Sequence, residues 1–190
     1  MESKLFTPVT FGPLTLRNRT IRSAAFESMC PGNAPSDMLL NYHRSVAAGG
    51  IGMTTVAYAA VTRSGLSFDR QLWMRPEIIP GLRRLTDAVH AEGAAAGIQL
   101  GHCGNMSHKS ICGCTPVGAS GGFNLYSPTF VRGLRADELP ELARAYGRSV
   151  NLAREAGFDA VEIHAGHGYL ISQFLSPATN HRKDEFGGSL

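Results

Sequence analysis

The spacing of apolar and polar positions along the chain changes several times, and each change marks an element. Val9–Thr10–Phe11 and Leu14–Thr15–Leu16 flank Gly12–Pro13, a turn dipeptide, which predicts a small β-hairpin. A short strand is predicted around Thr20–Ala25. Ser36 or Asp37 then offers an N-cap for a helix reaching about Ala48 and closed by Gly49–Gly50. Ile51–Ala60 (IGMTTVAYAA) is apolar and β-branched without alternation, the pattern of a strand buried on both faces in a parallel sheet.

The pattern then repeats. Pro80–Glu92 reads as a helix, with Leu82, Leu85, Ala88 and Val89 on one face and Gly93 after it. Ala95–Leu100 reads as the next strand. From Gly101 to Leu134 the chain is rich in Gly, Ser and Cys, which predicts a long functional loop. Asp137 is placed to cap a helix running to about Ala156, with Pro140 in the first turn, where a missing N–H is tolerated. Gly157 ends that helix, and Asp159–His164 is a fourth strand.

Strands alternating with helices are the βαβ signature, with right-handed crossovers. The segment after the first strand, FESMCPGNAPS, holds no G-x-G-x-x-G, which argues against a dinucleotide-binding Rossmann unit. Polar and ring-bearing residues gather instead at the C-terminal ends of the strands: Glu27, Gln99 with His102, and His164 with His167. That is where a TIM barrel keeps its active site. A complete barrel needs eight strands and typically about 250 residues. The predicted fold class is therefore α/β, with residues 1–190 forming one unit: about the first four βα units of a TIM (β/α)8 barrel plus an N-terminal hairpin.

Composition narrows the function classes. Hydrophobic residues make up 43% and charged residues 17%, which suits a packed core and not a disordered chain. A net charge of +3 without a long basic run gives no nucleic-acid footprint. The N-terminus lacks an apolar stretch of signal-peptide length and no segment could span a bilayer, so a cytoplasmic protein with no membrane partner is expected. In that reducing compartment Cys30, Cys103, Cys112 and Cys114 read as free thiols, and the C-x-C spacing of the last two is not a usual zinc pairing. The histidines have no thiolate or carboxylate at a supporting spacing, so no metal site is expected.

One long motif points to a family. VEIHAGHGYLISQFLSPATNHRKDEFGGSL, residues 161–190, follows the ordered pattern H-x-x-H/N-G-Y-L…Q-F-L-S-P…N-x-R-x-D-x-[YF]-G-G-S. Further matches are the opening LFTPVTFGPLTLRNR, AAGGIGM before the second strand, and DAVHAEG followed by IQLGHCGN. Across essentially its whole length the chain resembles the Old Yellow Enzyme family of FMN-dependent ene-reductases, including its NADH:flavin oxidoreductase and 2,4-dienoyl-CoA reductase branch.

The resemblance implies an oxidoreductase that takes electrons from NADH or NADPH through FMN and reduces the activated C=C bond of a small α,β-unsaturated carbonyl compound. His164 and His167 match the pair that binds the carbonyl oxygen, where two aimed donors stabilise charge developing in the transition state. Tyr169 matches the proton donor to the α-carbon; a phenol stays protonated at neutral pH, as a general acid must. Gln99 matches the glutamine at the flavin's pyrimidine edge, Ala24 and Ala25 match the strand-end segment beside the flavin ring, and Ala57 matches a small residue packed by the flavin. Many members carry Pro-Met followed by Thr or Cys where this chain has SAAFES, nearer an S-A-T-x-E variant.

Other positions carry humbler expectations. Phe174 reads as a packing aromatic, Arg182 and Asp184 as an ion pair bracing a loop, and Gly187–Gly188 as a turn. His102, His108 and Cys103 receive no role. Barrels of this kind grip the cofactor phosphate with loops after the seventh and eighth strands, which lie outside these residues. Three arrangements fit a half barrel: the N-terminal part of a longer enzyme, one subunit of a split enzyme completed by a second chain or copy, or a catalytically incomplete remnant that self-associates or binds a partner chain. Another flavin barrel, of the dihydroorotate dehydrogenase type, would lack the H-x-x-H-G-Y motif.

Overall fold

The computed structural model describes residues 3–188. Met1 and Glu2 at the start, and Ser189 and Leu190 at the end of the family motif, lie outside the described residues. The hairpin forms as expected. β1 (Val9–Phe11) pairs antiparallel with β2 (Leu14–Leu16), and Gly12 supplies the positive φ of +54° at the turn. Just after it, Arg17 donates to the carbonyls of Ala47 (2.6 Å), Ile51 (2.9 Å) and Glu92 (2.7 Å), so one cation closes the C-terminal ends of two helices at the foot of the sheet.

The main sheet has the order β3-β4-β5-β9, all parallel, from β3 (Ile21–Arg22), β4 (Met53–Ala60), β5 (Ala95–Gly101) and β9 (Ala160–Ile163). Helices α1 (Asp37–Ala48), α2 (Ile79–Ala91) and α4 (Leu139–Glu155) cover one face. Ser36 caps α1 by accepting from the Leu39 N–H. Val56, Ile98 and Leu100 of the sheet pack against Leu39, Leu82, Leu85, Val89 and Ala153 of the helices in an apolar core. The register sets Gly97 opposite Ala160 and Gln99 opposite Glu162 on the other face, the inside of the barrel.

Several expectations need correction. The first strand is two residues long rather than extending to Ala25. Beyond Arg22 the backbone leaves β4, and side chains take over: Arg22 Nη1 donates to Thr55 O at 2.6 Å and Nη2 to Ala25 O at 3.3 Å. The stretch 101–134 is not one loop. It contains α3 (Lys109–Cys112) and a small sheet ordered β6-β8-β7, from β6 (Val117–Gly118), β7 (Gly122–Asn124) and β8 (Thr129–Gly133). Strands this short carry too few residues to display a period. Asp137 does not cap α4; it lies in a 3-10 turn, Ala136–Glu138, where Glu138 accepts from the Arg135 N–H at 2.8 Å. A six-residue helix, α5 (Leu170–Leu175), follows the histidine motif and was not anticipated.

Candidate active site

The site begins with a defect in β4. Its register against β5 shifts between Val56 and Ala59, an irregularity of the bulge kind. Val56 and Ala59 face the helices, whereas the two successive residues Ala57 and Tyr58 both join the cluster on the site side. The bulge thereby aims the Tyr58 ring at His164 (centroids 5.8 Å apart) and Tyr169 (5.3 Å). Gly101 makes room, since a Cβ there would stand 2.9 Å from the Tyr58 ring and 3.3 Å from His164 Cβ. Tyr58 OH is anchored 3.1 Å from Gly65 O and 3.0 Å from Ser67 Oγ.

β9 ends at Ile163, and a tight turn then presents the three motif residues. His164 is held by its N–H bond to Leu100 O, Tyr169 by its N–H bond to Gly166 O, and Leu170 N–H reaches His102 O. His167 sits at a φ of +57°, a left-handed conformation uncommon for a residue with a side chain. That twist brings His167 Nδ1 to 3.2 Å from His164 Nε2, with the His164 ring 4.9 Å from both the His167 and the Tyr169 rings. Burial lowers the His164 pKa, and the neighbouring His167 adds to this, so the imidazole is neutral at pH 7. Burial raises the Tyr169 pKa, which keeps its phenol protonated.

Four further residues were expected at the flavin side of this cluster. Gln99, nearly buried, donates from Nε2 to Glu162 Oε1 at 2.7 Å across the barrel face. Ala57 is buried and Ala24 packs against its cluster, while Ala25 is exposed. A cleft of about 500 Å³ opens beside His167 and Gly168, rimmed by Met106, Phe123, Leu125 and Tyr126.

One supporting residue, Gln173, was assigned no role from the sequence, and another, Glu27, was expected among the site residues at the strand ends but serves differently. Gln173, 1% exposed, lies on α5 with its Nε2 2.7 Å from Gly168 O, 2.9 Å from Asn105 Oδ1 and 3.2 Å from Cys103 O. It ties the histidine turn to the loop after β5, and its place in the motif's Q-F-L-S-P was the available signal. Glu27 turns away from the site as a brace. It lies 2.7 Å from Arg22 Nη1 and 3.4 Å from His43 Nε2, and accepts from the Ala57 N–H at 3.3 Å.

The remaining polar residues are structural. His102 is buried between Gly104 N–H (3.0 Å to Nδ1) and Ser64 Oγ (3.1 Å to Nε2). Its Nδ1 accepts, so Nε2 carries the proton. His108 Nε2 meets Ser127 Oγ at 2.7 Å. Phe174 packs against the Val117–Leu134–Leu170 cluster, as expected. Arg182 and Asp184 pair, and Arg182 also donates to Ala119 O (3.0 Å) and Leu134 O, which fastens the C-terminal segment to the small sheet. Gly188 takes a φ of +88°. No group of three or more His, Cys, Asp or Glu among the described residues could hold a metal ion.

A parallel β/α half barrel with imidazoles and a phenol clustered at its strand C-termini has the architecture and site placement of the TIM-barrel enzymes. Residues 4–190 match the profile of the NADH:flavin oxidoreductase / NADH oxidase family, and the chain belongs to that family. Over 186 residues it is 45% identical to a 4,4'-dithiodibutanoate disulfide reductase of Rhodococcus erythropolis, covering 98% of this chain and 46% of that protein. It is 37% identical to an NADPH dehydrogenase of Bacillus subtilis, covering 100% of this chain and 56% of the relative.

Among solved structures, the Old Yellow Enzyme homologue from Zymomonas mobilis superimposes with a TM-score of 0.91 at 30% identity, covering 98% of this chain and 55% of that one. Morphinone reductase in complex with tetrahydroNAD gives 0.90 at 29% identity, covering 99% and 56%. The chain thus spans about half the length of these proteins. The expected resemblance and the TIM-barrel assignment are both borne out, and flavin and nicotinamide are the family's cofactors.

Proposed function

We propose that this chain carries the substrate-activating half of an FMN-dependent, NAD(P)H-consuming ene-reductase. The supporting observation is the convergence of His164, His167 and Tyr169 within 4.9 Å ring-to-ring distances of His164 at the end of β9. Small side chains at Ala24, Ala25 and Ala57 leave space for a planar ring, and the Gln99 amide offers both a donor and an acceptor to its heterocyclic edge. When bound, FMN supplies the hydride. The two imidazoles donate to a carbonyl oxygen in place of their mutual contact and hold the charge that develops there. Tyr169 delivers a proton from its phenol to the α-carbon. The apolar rim of the adjacent cleft excludes water from the substrate's remaining bulk.

Remaining strands, on the same chain or on a second one, complete the barrel and grip the cofactor phosphate. The sheet supports this reading: its outer strands β3 and β9 each have one partner, and Ile163 on β9 is 45% exposed. The test is a stopped-flow separation of the half-reactions in the complete protein. Tyr169→Phe is expected to leave flavin reduction by NAD(P)H within about twofold and to slow alkene reduction by about 10²-fold or more. Equal loss in both half-reactions would remove Tyr169 from the proton-donor role.

A further inference from the structure

Away from the histidine cluster, two thiols lie side by side. α3 ends at Cys112, whose N–H is bonded to His108 O, and Gly113 follows in the left-handed region at φ +76°. That turn folds Cys114 back, so its Sγ lies 3.6 Å from Cys112 Sγ, while Cys112 Sγ contacts Cys114 O at 3.1 Å. The two differ in access: Cys112 is 3% exposed and Cys114 is exposed. The chain's other cysteines lack such a neighbour. Cys30 and Cys103 are buried singly, and burial pushes both thiols up to about 12, which leaves them inert.

We propose that Cys112 and Cys114 form a dithiol–disulfide couple that reacts with small organic disulfides, with Cys114 attacking and Cys112 resolving. The Cys114 thiolate attacks one sulfur of RSSR; the S–S bond breaks, one RSH leaves, and a mixed disulfide remains on Cys114. Cys112 then attacks Cys114 Sγ and expels the second RSH. Two cysteine thiols are oxidised to one disulfide, RSSR is reduced to two RSH, and both protons end on the released thiols. The accessible sulfur meets the reagent, the buried one needs only to close a short gap, and the intervening αL glycine supplies the backbone reversal. Arg63 packs over Gly113, its Nη2 about 3.3 Å from where a Cβ would stand. A cation there favours an anionic disulfide.

Partial desolvation and the Cys112 neighbour raise the Cys114 pKa, with Arg63 and Arg132 acting in the opposite direction. Exchange therefore accelerates as pH rises. The site is independent of the flavin chemistry proposed above.

The experiment treats the native, fully reduced protein with 5,5'-dithiobis(2-nitrobenzoate), reading thionitrobenzoate release and intact mass. The expected wild-type result is two equivalents released per chain, no retained adduct, and a mass lower by two hydrogens. Cys112→Ser is expected to release one equivalent and keep a stable adduct on Cys114. Cys114→Ser should react at least tenfold more slowly, and Arg63→Gln a few-fold more slowly at fixed pH. Persistent adducts on the wild-type chain, or unchanged kinetics in Cys114→Ser, would overturn the proposal.

Discussion

His102 shows how far burial governs a single residue. The side chain is fully enclosed, and desolvation drives its pKa from 6.5 down to about 4. The unfolded chain takes up this proton near pH 6.5 and the folded chain only near pH 4. Stability held by the neutral ring is therefore complete above pH 6.5 and falls as pH drops through that window, by up to about 3 kcal/mol. Denaturant midpoints measured from pH 7.5 to 4 are expected to show this slope. His102→Asn, which keeps an acceptor near the Gly104 N–H, should flatten it. A slope unchanged in the variant would assign the acid sensitivity to another group. His164 is also lowered but less enclosed, so it adds to the same window in the same direction.

At the scale of elements, the site depends on how short pieces are pinned. α5 has six residues and could not persist alone. Gln173 holds it against the turn that carries His167 and Tyr169 and against the loop after β5. Gly104, at φ +64°, passes so close that a Cβ would overlap the Gln173 amide. Gln173→Ala leaves the Gly168 and Cys103 carbonyls without this donor and is expected to cost about 2–4 kcal/mol in urea unfolding. Gly104→Ala should cost a similar amount, because strain and overlap act together. Either variant at wild-type stability would show that the loop and α5 are held by other contacts. The β4 bulge acts in the same way, since a regular strand would alternate and could not send Ala57 and Tyr58 to one side.

For the whole molecule, the open sheet sets the behaviour. Four parallel strands leave two edges and a barrel interior that includes Ala160 and the exposed Glu162. Residues 1–190 purified alone are expected to associate in a concentration-dependent way in sedimentation and to carry FMN well below one per chain. A protein that also contains the second set of strands should bind the flavin stoichiometrically. A monodisperse monomer holding one FMN would show that the half barrel suffices. Among the described residues no helix is long and apolar enough to cross a membrane.

Much of this architecture was legible in the residues. The unalternating run before Ala60, the leucine face of α2 and the capped α1 marked the βαβ order, because burial on one or two faces imposes its own period on a sequence. The H-x-x-H-G-Y run, read as a resemblance, pointed to the family that the whole-chain match bears out. What the sequence could not carry were features that exist only once distant segments meet. The bulge that turns Tyr58, the amide of Gln173 shared between the histidine turn and the loop after β5, and the brace made by Glu27 arise from long-range contacts, which leave no local period, and the strands of the small sheet within 101–134 are too short to show one. The left-handed turn at His167 and the one at Gly113 that folds Cys114 onto Cys112 are local, but their backbone conformations are settled only in the folded chain: a residue's type states what it can do, and the structure decides what it faces.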